Sequence, residues 1–187
     1  VDGVDFMTYI KILNAMDIEW AMRTDNDVIK IPKKNSYRYA GIERALSCLE
    51  NGCDLDVEKE KTIEENRKLL RGFNDPDHIP EENQRAVTAI RDLLEDFSIQ
   101  MADVDLETDL LNSPLRKALL EYYGNEEGIS DDDIIEEMKK HKGLNMYHFL
   151  QNKKDELKAL KDDKLATLIF KAKDYIEKNY GANTNPE

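Results

Sequence analysis

The sequence predicts an α/β fold: a small parallel sheet flanked by helices, helix-rich, with an inserted helical segment and a C-terminal helical part. Three observations lead there. Two short apolar segments, Ile18–Thr24 (IEWAMRT) and Phe97–Asp103 (FSIQMAD), have the composition of buried strands. Each follows a helix-period segment within a few residues, the order of a parallel α/β unit. The rest of the chain places apolar residues at helical spacing, interrupted by Gly, Asn and Pro.

Taken in order, Val1-Asp2-Gly3 reads as the end of a strand entering a turn. Residues 4–16 carry Val4, Tyr9, Ile12, Leu13 and Met16 at a helix period. The first strand, 18–24, runs into Asp25-Asn26-Asp27. Lys30–Tyr39 is a polar, basic connection containing Pro32, and Ala40–Leu49 is a helix stopped by Asn51-Gly52. Residues 57–72 form a highly charged helix whose apolar part is Ile63, Leu69 and Leu70. Asn74–Pro80 is a loop, with Pro80 suited to the first turn of a helix running to about Asp96. After the second strand and Asp105–Asp109 comes a helix to about Tyr123, broken by Gly124–Gly128. Ser130-Asp131-Asp132-Asp133 is an acidic N-cap for the next helix. Helices follow over 145–160 and 163–179, with a frayed tail from Gly181. The pattern divides into 1–50 and 97–124 as two parts of one core, 51–96 as a helical insertion, and 125–187 as C-terminal helices. Together they are expected to make one compact domain.

With 187 residues, the chain is long enough for an ordinary core. Its 27 Lys and Arg against 40 Asp and Glu give a net charge of −13, which argues against a simple basic nucleic-acid binder. The distribution changes that conclusion. Residues 1–50 carry net −1, 51–137 net −16 and 138–187 net +4. The acidity belongs to the middle, and nucleic acid is permitted at the two ends. No apolar run approaches the roughly 20 residues of a membrane span. Cys48 and Cys53 cannot build a disulfide framework and suit a reducing cytoplasm.

Two acidic clusters stand where the strands end, the place where ligands bind parallel sheets. Asp25 and Asp27 are two apart on an extended segment, so both side chains approach one ion. Asp105, Glu107 and Asp109 repeat that alternation. Hard oxygen ligands at this spacing suit Mg²⁺ or Mn²⁺, and two such ions about 4 Å apart hold a phosphodiester and activate a water. Either cluster alone also describes something plainer: a solvated turn for the first, an acidic helix N-terminus for the second. Lys30, Lys33, Lys34 and Arg38 follow the first cluster and are placed to meet phosphates. Lys142, before Gly143-Leu144-Asn145-Met146, and Lys164 are candidates for stabilising charge on a leaving group. The histidines are scattered and no zinc spacing is present, and without a P-loop motif the chain itself is not expected to hydrolyse a nucleotide by P-loop chemistry.

The run from Val1 to Leu46, with TDND at Thr24–Asp27 and Tyr37, Gly41, Ile42 and Arg44 in a Tyr-x-x-x-Gly-Ile-x-Arg pattern, resembles a known family. So do DLETDL at Asp105–Leu110 and KGLNM at Lys142–Met146. This ordered set is similar to the Toprim region of the OLD (overcoming lysogenisation defect) family of ATP-dependent endonucleases, above all to nuclease subunits of Gabija-type anti-phage systems. The resemblance implies a Toprim-like fold and a bacterial, cytoplasmic, metal-dependent DNA endonuclease. Asp25, Asp27, Asp105, Glu107 and, less directly, Asp109 would be metal ligands in a two-metal site. Lys142 would be the catalytic lysine, with Lys164 its rival. Homo-oligomers, a helicase partner and an ATPase domain of the same chain occur in the family. It also implies an earlier-strand Glu, which this sequence lacks; the chain is therefore expected to be the C-terminal part of a longer protein that alone cuts DNA poorly. Two further functions stay open: an acidic helical protein-interaction module, and another Toprim chemistry such as primase, topoisomerase or RNA nuclease.

Overall fold

A computed structural model describes residues 6–70, 72–76, 78–124, 128–140 and 142–181. The expected strand end at Val1-Asp2-Gly3 and the tail beyond Gly181 lie outside the described residues, as does most of the Gly124–Gly128 break. The fold is α/β and helix-rich, with one small parallel pair of strands. It groups into two compact units, Val1–Asp105 and Leu106–Glu187, so the expected second core segment 97–124 is shared between them.

In the first unit the order is α1 (Phe6–Ala15), β1 (Met22–Thr24), β2 (Val28–Lys30), β3 (Tyr37–Tyr39), α2 (Ala40–Gly52), α3 (Val57–Leu69), α4 (Glu81–Asp96) and β4 (Ile99–Met101). β1 and β4 pair in parallel, with Met22 opposite Ile99 and Thr24 opposite Met101. Both strands are shorter than the apolar runs that announced them, for one reason. Asp17 (φ 53°) and Ser98 (φ 58°) are left-handed residues that turn the chain off the preceding helix. The Ile18 amide donates back to the Leu13 carbonyl (2.9 Å), and Trp20 Nε1 donates to Asn14 Oδ1 (2.7 Å). Residues 18–21 thus finish α1 instead of pairing. Likewise the Phe97 and Ser98 amides still donate to Leu94 and Glu95 carbonyls.

The connection over 30–39 is a correction: it contains an antiparallel hairpin, with Val28 opposite Tyr39 and Lys30 opposite Tyr37. Its turn is closed by the Ile31 amide donating to Ser36 O (2.8 Å), with Lys33 at φ 63°. The segment is too short and too polar to show strand alternation, and Pro32 sits in the turn rather than in a strand. A bridge to Phe73 extends it, and the Phe73 ring packs 4.8 Å from Tyr39.

The core of this unit is α2 against α4 and the parallel pair. Ile42, Leu46 and Leu49 on α2 lie at helical spacing and are fully buried, as are Ile90 and Leu94 on α4 and Ile99 on β4. Cys48 is buried and Cys53 half-buried; both are free thiols whose pKa is raised by burial.

The second unit contains α5 (Leu106–Leu111), α6 (Arg116–Tyr123), α7 (Asp131–Lys139), α8 (Lys142–Asn152), short 3-10 helices at Glu156–Leu160 and Lys164–Ala166, and α9 (Thr167–Tyr180). The helices expected over 145–160 and 163–179 are divided differently, because Lys153–Asp155 and Lys161–Asp163 turn the chain twice. Leu111, Leu115, Leu119, Ile134 and Phe149 form its core. Ser130 caps α7 as the sequence indicated. The Asp133 amide donates to Ser130 Oγ (3.2 Å), and the Ser130 amide donates to Asp133 Oδ2 (3.2 Å). Among the described residues no helix is long and apolar enough to cross a membrane.

Candidate metal centre

The two acidic segments are remote in sequence, yet the parallel register carries both to one end of the β1–β4 pair. The ladder continues beyond the strands: the Ala102 amide donates to Thr24 O and the Asn26 amide to Val104 O, both at 2.9 Å. Asn26 Nδ2 also donates to Asp103 O (3.1 Å). The backbones that carry Asp25 and Asp27 and those that carry Asp103 and Asp105 are therefore locked side by side.

Gly41 makes that possible. It lies in the first turn of α2, and its amide donates to Asp27 O (3.0 Å). A Cβ at position 41 would come 2.6 Å from Asp27 N and 2.8 Å from Asn26 Cα, both backbone atoms. Only glycine lets the helix start this close to the acidic turn. One turn further along α2, Arg44 pairs with the Asp27 carboxylate. On the other side, Arg91 of α4 donates to Met101 O (3.1 Å), Ala102 O (3.3 Å) and Asp103 Oδ1 (3.0 Å), fixing the exit from β4.

A cleft of about 580 Å³ opens at this end, lined among others by Asp27, Asp103, Asp105, Tyr39 and the Gln84–Val87–Thr88 face of α4. Its rim is acidic and its walls are largely apolar. Tyr39 is 3% exposed, its hydroxyl has no hydrogen-bond partner among the described residues, and burial raises its pKa.

Mg²⁺ typically takes one or two carboxylates and completes its shell with water and phosphate oxygens. Asp27 and Asp105 supply two carboxylates on one cleft, so the donor chemistry fits that mode. It is not a closed cage: among the described residues no three His, Cys, Asp or Glu side chains are gathered to hold a metal ion.

The remaining predicted residues lie on other elements. The extended alternation expected through Asp105, Glu107 and Asp109 is replaced by α5, where residues two apart diverge by about 200°. Asp105 closes the first unit, whereas Glu107 (3% exposed) and Asp109 (5%) are buried in the second. Lys30, Lys33, Lys34 and Arg38 are exposed on the β2–β3 hairpin. Lys30 shares a face with Tyr37, and Arg38 shares the opposite face with Ile29. Lys142 opens α8, and its side chain is outside the described residues. In the same KGLNM run, Asn145 Nδ2 donates to Glu137 O (3.4 Å) and to Lys140 O, so it ties α8 to the end of α7. Lys164 is exposed at the start of a 3-10 helix rather than opening the last α-helix. His141 lies outside the described residues.

Sequence reasoning missed Asp103 and Arg91 as parts of this site. A lone Arg in a charged amphipathic helix carries no signal of its own, and Asp103 looks like the end of a strand. Arg44 was visible as part of a pattern, but its partner Asp27 was not. No protein-family model matches the chain, and no curated protein is significantly similar to it.

Proposed function

We propose that the chain is the Toprim-like nuclease part of an OLD-family, ATPase-coupled endonuclease that hydrolyses DNA phosphodiesters with Mg²⁺ or Mn²⁺. One observation carries the reading: the segments Asp25–Asp27 and Asp103–Asp105 run side by side beyond the C-terminal end of the parallel strands, and Asp27, Asp103 and Asp105 line one cleft.

In this reading Asp27 and Asp105 would hold the cation from the cleft, and Asp25 would join them once it binds. A divalent ion bound there would supply positive charge against the phosphate and a bound water more acidic than bulk water. The chain's own contribution is positional. Arg44 orients the Asp27 carboxylate, the Gly41 contact fixes the turn, and Arg91 holds the Asp103 side. Lys30, Lys33 and Lys34 on the exposed hairpin meet backbone phosphates, a sequence-independent and salt-sensitive contact. Lys142 or Lys164 offsets charge developing on the leaving oxygen. DNA, the ATPase domain of a longer chain and a bacterial cytoplasmic setting belong to the same proposal.

A plasmid-nicking assay on the full-length protein tests it. With Mg²⁺ or Mn²⁺, Asp25→Ala and Asp105→Ala are each expected to reduce nicking by about 100-fold or more, the scale set by losing a group that stabilises the transition state. Unreduced nicking by Asp25→Ala overturns the assignment. Lys142→Ala beside Lys164→Ala decides which lysine acts.

A further inference from the structure

The cleft beside the acidic turn contains more than carboxylates. Its apolar walls are Val28 of the hairpin, Ile79 of the loop before α4, Val87 of α4 and Val104 after β4. At about 580 Å³ it has the size of a site for a small organic group. Such sites are mostly apolar, with a few placed polar atoms. A hydrated cation alone has no use for apolar walls.

Two residues that line the cleft carry buried polar atoms with no hydrogen-bond partner among the described residues, Tyr39 Oη and Asn26 Oδ1. Both residues are held in place by other contacts. The Tyr39 ring packs against Phe73, and Tyr39 stands opposite Val28 in the hairpin. Asn26 Nδ2 donates to Asp103 O, which leaves Oδ1 over. Thr88 Oγ1 and Gln84 Nε2, by contrast, already donate to the carbonyls of Gln84 (3.1 Å) and Ile79 (2.8 Å). A buried polar atom left unpaired is destabilising, so a ligand that pairs with it binds more tightly for doing so. The tyrosine hydroxyl both donates and accepts, whereas Asn26 Oδ1 only accepts. The group that fits has an apolar body and an edge bearing an N–H donor.

We infer that the cleft receives one unstacked nucleobase, that of the nucleotide whose phosphate meets the cation. The inference rests on the reading of the acidic end as a metal centre that binds phosphate. With a phosphate there, the flat group attached through the sugar is the base. Its faces meet the valines and its pairing edge meets Tyr39 and Asn26, the way extruded bases are read. Every base has on that edge an N–H for Asn26 Oδ1 and an acceptor for the Tyr39 hydroxyl. The site therefore distinguishes a base from none, rather than one base from another. Inside a duplex that edge is occupied, so the substrate presents an unpaired nucleotide.

The test is calorimetric titration of the whole chain, in saturating Mn²⁺, with thymidine monophosphate and with deoxyribose phosphate. The two ligands carry the same phosphate and differ by the base. The nucleotide is expected to bind at least about tenfold more tightly. Tyr39→Phe keeps the ring and removes only the hydroxyl; it should weaken the nucleotide about fivefold and leave the sugar phosphate unchanged. Thr88→Trp, at an exposed position on the α4 wall, should reduce the nucleotide to the level of the sugar phosphate while circular dichroism stays unchanged. Equal binding of the two ligands, or a preference for the nucleotide that persists at full size in either variant, overturns the proposal and leaves the metal centre standing. Absence of binding by both ligands overturns it too, and titration of Mn²⁺ alone then shows whether the metal centre fails with it.

Discussion

Gly41 shows how much a single position decides. Its missing side chain lets α2 begin against the Asp25–Asp27 turn, and the atoms in the way of a Cβ are backbone, which cannot swing aside. Gly41→Ala is therefore expected to destabilise the protein by about 1–3 kcal/mol in urea unfolding. Gly143→Ala is the contrast, since nothing lies within 4 Å of a Cβ there and the residue is helical. That change should stabilise by about 0.5–1 kcal/mol. At this scale the sequence marked the acids and, in one pattern, Gly41 and Arg44, but not Arg91. Asp25, Asp27 and Asp105 stand out because acids two apart after apolar runs are unusual. Arg91 does not, because its role is set by which carbonyls β4 leaves at the end of the ladder.

Among the elements, helices with strong caps were the most legible. The Ser130–Asp133 box and the bidentate pair of Arg116 with Asp131 (3.0 and 2.7 Å) fix where α7 starts. Hydrogen bonds from Ser130 and Arg116 hold the Asp133 and Asp131 carboxyls below their usual range, and Lys59 does the same for Asp56 at the start of α3. A carboxyl with a lowered folded pKa adds stability above its unfolded value, near pH 4, and loses it as pH falls through the folded value. Amide exchange along α7 should therefore accelerate as pH drops below about 4 relative to the intrinsic rate, and Asp133→Asn should remove much of that dependence. An α7 whose protection is flat across this range contradicts the cap's role. The hairpin was illegible because three-residue strands show too little alternation. The strand ends were misjudged because apolar residues at 18–21 and 97 serve helix termini rather than the sheet. At α5 both readings of Asp105–Asp109 were open, because i, i+2 acids suit an extended chain and a helix N-terminus equally well, and the helix N-terminus is the one found.

For the molecule as a whole, the division into two cores was not visible. The boundary after Asp105 falls inside the acidic motif, where neither composition nor a linker marks it. Leu46→Ala and Leu119→Ala each remove a fully buried side chain from a different core and should each cost about 2–5 kcal/mol. Hydrogen exchange should place the first loss in α2, α4 and β4 and the second in α6 and α7. Net charge is the other whole-molecule quantity that sequence alone left ambiguous. Part of the −13 is gathered at one end of the parallel pair, where a cation would offset it. The most direct measurement of that claim is calorimetric titration of Mn²⁺ into the wild-type chain, Asp27→Asn and Asp105→Asn. The wild type should bind saturably and each variant at least about tenfold more weakly; no saturable binding in the wild type, or unchanged binding in both variants, would contradict a shared metal centre.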